Sequence, residues 1–64
     1  MKGTIKFYDT KKKFGFIKPT KDSVNVFFHI SGWLEEAEPK QGDQVVFDTE
    51  QGKKGLIAVD IQYQ

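Results

Sequence analysis

Apolar and polar residues alternate in five short runs, a period of two that belongs to strands rather than helices. Thr4 to Asp9 sets Ile5 and Phe7 against Thr4, Lys6 and Tyr8. Lys13 to Pro19 sets Phe14, Phe16 and Lys18 against Gly15 and Ile17, and Val24 to Ile30 sets Val24, Val26, Phe28 and Ile30 against Asn25, Phe27 and His29. Gln44 to Glu50 divides Val45, Phe47 and Thr49 from Val46, Asp48 and Glu50, and Leu56 to Tyr63 divides Ile57, Val59, Ile61 and Tyr63 from Leu56, Ala58, Asp60 and Gln62. Polar and glycine-containing turns separate the runs, among them Asp9-Thr10-Lys11-Lys12, Thr20-Lys21-Asp22-Ser23, Ser31-Gly32 and Gln51-Gly52-Lys53-Lys54-Gly55. The acidic connector Trp33 to Gln41 has room for one helical turn over Trp33 to Ala37. Five strands without a longer helix predict an all-β fold, a small five-stranded antiparallel barrel in one domain.

Two runs depart from the ordinary half-buried strand. Phe14 and Phe16 share their side with Lys18, and Phe27 shares its side with Asn25 and His29. A barrel can close around Ile5, Ile17, Val26, Phe28, Val45, Phe47, Val59 and Ile61, so the remaining rings are free to face outward. Gly15 then points inward, where a missing side chain admits another backbone. Strict alternation cannot expose both Phe7 and Tyr8, and a bulge near Lys6 to Tyr8 is needed if both join that surface.

Charge sharpens the picture. The net charge is +1. Residues 1–21 carry seven lysines against Asp9, or +6, and residues 22–64 carry three lysines against eight acids, or −5. The basic half is the half that holds the first aromatic run. Exposed rings beside lysines suit single-stranded nucleic acid, since every base has a π-face and every nucleotide a negative charge. Phe16, Phe27 and His29 are the candidate stacking groups, with Lys6, Lys12 and Lys13 along the phosphates.

Other chemistry finds little support. The chain of 64 residues has no cysteine and a single histidine, so it offers neither a thiolate nor a nucleophile with its base and orienting partner. Scattered carboxylates and one imidazole do not make a metal site. A domain this small has little room for a deep small-molecule pocket. No apolar run approaches the roughly 20 residues of a membrane span, and Met1-Lys2-Gly3-Thr4 does not open a secretory signal. The expectation is a cytosolic, monomeric, non-enzymatic protein without cofactor, metal or membrane partner. The rival reading is a barrel that uses the same aromatic face for protein contact or self-association.

At these residues the chain resembles the cold-shock domain family over essentially its whole length. Lys12-Lys13-Phe14-Gly15-Phe16-Ile17 is similar to that family's first ribonucleoprotein motif, Lys-Gly-Phe-Gly-Phe-Ile, and Val26-Phe27-Phe28-His29-Ile30 to its second, Val-Phe-Val-His-Phe. Gly3 to Asp9 is similar to the opening strand, with Phe7-Tyr8-Asp9 in place of Trp-Phe-Asn. The octapeptide-like run precedes the second motif and no long helix intervenes, which separates the chain from the RNA-recognition motif. The resemblance implies an oligonucleotide-binding barrel that binds single-stranded RNA or DNA, an RNA chaperone with roles in antitermination or translation regulation. It places stacking on Phe7, Tyr8, Phe16, Phe27 and His29, with Phe14 at the edge, and backbone contacts on Lys6 and Lys12. Ile30 stands where the family stacks a phenylalanine, and Lys13 where it has glycine, which puts in question any turn that needs positive φ. Trp33 replaces an aliphatic residue and is either core or a relocated stacking ring. Lys54 is a further basic candidate on the last hairpin. With the acidic connector close by, the resemblance implies weaker binding than a full family member shows.

Overall fold

The computed structural model describes residues 1–53 and 55–64; the candidate Lys54 lies outside the described residues. Five strands, β1 (Lys2–Asp9), β2 (Phe14–Pro19), β3 (Val26–His29), β4 (Gln44–Gly52) and β5 (Gly55–Tyr63), close a barrel in the order β1-β2-β3-β5-β4. Pairing is antiparallel except at the β3–β5 seam, where Phe27 and Phe28 run parallel to Ile57 and Ala58. A closed ring of five strands cannot alternate direction at every seam, so the expected antiparallel barrel closes through one parallel pair.

The core consists of Ile5, Ile17, Val26, Phe28, Trp33, Val45, Phe47, Ala58 and Ile61. Seven of the eight expected core residues are among them, and Val59 is not. Two irregularities explain the difference. In β1 the pairing steps from Ile5↔Ile17 to Phe7↔Phe16, so Lys6 is an extra residue. In β5 it steps from Val46↔Gln62 to Asp48↔Val59, and Asp60 at φ 51 absorbs the surplus. Each bulge reverses the parity of its strand. Hence Ala58 and Ile61, three positions apart, both face inward, as do Ile5 and the ring of Tyr8.

The first bulge is held from outside its own hairpin. The Ile5 N–H donates to the Asp43 carbonyl at 3.0 Å, and the Gly42 N–H donates to the Ile5 carbonyl at 2.8 Å. Gly15 supplies the space on the β2 side. A Cβ there would collide with the Phe7 carbonyl oxygen and lie 2.9 Å from the Phe28 ring.

Other expectations need revision. The alternation places Val24 on the buried side of the third strand, but β3 begins at Val26 and Val24 is 68% exposed in the preceding loop. The helical turn falls at Ile30–Gly32 rather than at Trp33–Ala37, because His29 caps it: its Nδ1 accepts the Ser31 N–H at 3.1 Å. Trp33 is 8% exposed, makes a parallel bridge with Ile61, and meets the Tyr63 ring edge-on at 5.4 Å. Its indole Nε1–H donates to the Ala37 carbonyl at 2.6 Å, a bond that folds the connector over the open end of the core. Of the two roles open to Trp33, the structure gives it the core.

Candidate nucleic-acid interface

The bulge at Lys6 turns Phe7 outward, where regular alternation would have buried it. Cross-strand register then aligns Phe7 with Phe16, and Phe16 with Phe27. Phe14 fills the space beside this row, with its ring centroid 6.2 Å from Phe7, 6.2 Å from Phe16 and 5.6 Å from Phe27. Phe7 and Phe16 lie 6.4 Å apart, and Phe16 and Phe27 6.0 Å apart. Four phenyl rings thus form one connected surface over three strands. Phe7 is 46% exposed, and the other three are half-buried against one another. Mutual packing fixes their positions without covering their outer faces, which preorganises them for a flat partner.

Tyr8 does not belong to that surface. The same bulge that frees Phe7 turns Tyr8 inward, opposite Gly15, where its ring stacks on Phe28 at 5.9 Å and 11°. Its hydroxyl is buried, and desolvation, followed by the charges of Glu38 and Asp9, raises its pKa above the ordinary 10.0. The expectation that Phe7 and Tyr8 would share the face is corrected: the bulge puts the neighbours Lys6 and Phe7 on the outer side, and alternation then returns Tyr8 to the inner side.

His29 is exposed at the end of β3, opposite Phe14 in register. Its Nδ1 accepts the Ser31 N–H at 3.1 Å and lies 3.1 Å from the Ser31 Oγ, contacts that hold the imidazole plane. Ile30 is half-buried and packs against the core at the start of the 3₁₀ turn. It therefore adds an aliphatic edge and no further stack.

Lys6, Lys12 and Lys13 are all exposed. Lys6 projects from the bulge itself. Lys11, Lys12 and Lys13 lie in a turn built by Asp9, whose Oδ1 accepts the N–H groups of Lys11 at 2.9 Å and Lys12 at 3.0 Å. The Lys12 N–H bond is the main reason that the Asp9 carboxyl is held below its ordinary value; partial desolvation opposes it, and the Lys11 N–H and the Lys12 charge assist. Lys13 closes the turn at φ 64, donating its N–H to the Asp9 carbonyl at 2.8 Å and accepting from the Ile30 N–H at 2.9 Å. The left-handed conformation put in question by the absence of glycine is adopted all the same, with a lysine bearing it.

Comparison with known proteins agrees with this geometry. Residues 1–64 match the family described as the 'Cold-shock' DNA-binding domain. The chain belongs to the cold-shock domain family. It is 38% identical over 61 residues to the major cold shock protein of Micrococcus luteus, covering 92% of this chain and 91% of that one. It is 41% identical over 64 residues to the cold shock-like protein CspB of Yersinia pestis, covering 95% and 90%. A solved structure, Drosophila Unr CSD456, superposes with a TM-score of 0.84 at 28% identity, over 98% of this chain and 26% of that longer chain. Nucleic-acid binding is thus the function of this cold-shock domain at the level of the family. One member of the exposed row was missed from the sequence. Ile57 pairs with Phe27 across the parallel seam, and nothing in the local pattern announces that β5 joins β3.

Proposed function

We propose that this cold-shock domain binds single-stranded RNA or DNA as a monomer, stacking unpaired bases on Phe7, Phe14, Phe16, Phe27 and His29 while Lys6, Lys12 and Lys13 follow the phosphates. The observation that carries the reading is the connected four-ring surface, with centroids 5.6 to 6.4 Å apart, bordered by the lysine turn. Each base–ring stack contributes on the order of 1–3 kcal/mol. Three or four stacks give a gross ~3–12 kcal/mol against an association cost of about 4–15 kcal/mol, so the rings alone leave little surplus and the lysines are needed as well. Because rings stack on any base, sequence preference is weak. Trapping splayed bases shifts hairpins toward single strands by mass action without ATP, which is the activity of an RNA chaperone and can act in antitermination or translation regulation.

The test is binding of a fluorescein-labelled oligopyrimidine by anisotropy across a salt series. If about three phosphates are neutralised at ~0.7 each, log K falls with log salt at a slope near −2. Binding that is absent at low salt, or indifferent to salt, overturns the reading and leaves the ring face to protein contact.

A further inference from the structure

The wall of the barrel that the ring row does not reach carries a charge pattern of its own. Lys2 of β1 pairs with Val46 of β4, and Val46 with Gln62 of β5, so the outward side chains at these three positions form one line across the strands. On the β1 side of that line an open, largely apolar groove of about 470 Å3 is lined by Met1, Lys2, Pro19, Thr20, Lys21 and Asp22. On the other side a more open groove of about 330 Å3 is lined by Leu34, Val46, Asp48, Asp60 and Gln62, and Met1 belongs to both. Met1 is tied down at the junction: its amino group donates to the Phe47 carbonyl at 2.9 Å, and its carbonyl accepts the Phe47 N–H at 2.8 Å. Leu34 is held by its N–H, which donates to the Ile61 carbonyl at 2.8 Å. Two large apolar side chains are thus fixed in the open, Met1 at 62% and Leu34 at 57% exposure. Charge divides along the same line. The first groove carries the exposed Lys2 and Lys21, and its Asp22 is turned to its own loop, where Oδ1 accepts the Val24 N–H at 3.1 Å. The second carries the exposed Asp48 and Asp60, with no lysine among its lining residues.

We propose that this belt is the contact between two copies of the chain, related by a two-fold axis near Met1. Lys2 and Lys21 of each copy then face Asp48 and Asp60 of the other, with the Met1 and Leu34 side chains between them. The occupant follows from charge: a basic and an acidic groove side by side are what an isologous contact requires, because a two-fold rotation lays each on its opposite. An extended anion is repelled by the aspartates, and an extended cation by the lysines. About a dozen residues line the two grooves, fewer than the roughly 20–30 a side of a stable interface, so the pairing is weak, with a Kd on the order of 0.1–1 mM. None of the four ring phenylalanines lines either groove. Each copy therefore keeps its own ring face, strand binding stays the act of a single chain, and a pair presents two such faces.

The test is sedimentation equilibrium and methyl NMR of the unmodified protein at about 0.05 to 2 mM, a range that brackets this Kd. Expected at low salt is a weight-average mass about 1.5 times that of the monomer when the concentration equals Kd, with Met1 and Leu34 methyl shifts that follow the same isotherm. Salt at about 1 M shortens the screening length to about 3 Å and weakens the pairing by about tenfold. Two double variants, Lys2→Glu with Lys21→Glu and Asp48→Lys with Asp60→Asn, each stay monomeric, and their equimolar mixture pairs again, which misfolded chains cannot do. Asparagine is chosen at position 60 because it tolerates the left-handed backbone there. A mass that stays monomeric across the range at low salt overturns the proposal and leaves the belt to a partner of another kind. Concentration-dependent shifts at Phe7, Phe16 and Phe27 instead of Met1 and Leu34 overturn it by placing self-association on the ring face, and so does a mixture no more associated than its components.

Discussion

Lys13 invites the sharpest test, because its side chain and its backbone pull in opposite directions. Its φ of 64 is the left-handed region, and its N–H and carbonyl are both committed, to Asp9 and Ile30. A non-glycine residue bears about 1–2 kcal/mol there. Lys13→Gly removes that strain but frees the unfolded chain, at a cost of roughly 0.4–1 kcal/mol. The net expectation is a gain of about 0.5–1 kcal/mol, which in a domain of this size raises Tm by about 2–8 °C. Lys13→Ala is the control: it removes the same charge and keeps the Cβ. Thermal melts followed by circular dichroism should rank Lys13→Gly above wild type, with Lys13→Ala close to wild type. If Lys13→Ala stabilises as much as Lys13→Gly, relief of repulsion among Lys11, Lys12 and Lys13 is the cause and the backbone argument is wrong. In binding, both variants should flatten the log K against log salt slope by about 0.7 if Lys13 neutralises one phosphate of a single strand.

Four further outcomes follow from the same structure. Phe28→Ala, at the fully buried centre of the barrel, should cost about 3–5 kcal/mol in chemical denaturation. Phe16→Ala should chiefly cost affinity, about 1–3 kcal/mol in an oligonucleotide titration, and a folding loss as large as that of Phe28→Ala would place the ring in the core instead. Trp33 emission should change little on adding oligonucleotide, since the indole lies beneath the connector, and Trp33→Phe should lower stability by roughly 1 kcal/mol through loss of the bond to Ala37 while binding persists. For Asp9 the folded pKa is depressed, so its stabilisation of the lysine turn is complete above the ordinary 3.8 and is lost as pH falls through the lower folded value. Amide shifts of Lys11 and Lys12 followed by NMR should titrate below pH 3.8; a midpoint above it would contradict the hydrogen bonds assigned to the carboxylate.

The alternation of apolar and polar residues by itself determined the five strands, most of the core and the outward setting of Phe14, Phe16 and Phe27, because a period of two is a local property and lysine, asparagine and histidine mark the wet side. The ribonucleoprotein-like motifs, read at the same level, identified the family. What only the tertiary structure decided lies where parity is reversed by a partner. Phe7 faces out and Tyr8 in because the Lys6 bulge is secured by Gly42 and Asp43, far along the chain. Ala58 displaces Val59 from the core because Asp60 takes up a surplus residue against β4. Trp33 became a lid over the core through Ala37, Ile61 and Tyr63. The Phe27–Ile57 junction exists because a parallel seam closes the barrel. A bulge or a closure is a relation between strands, and a pattern read along a single strand carries only half of it.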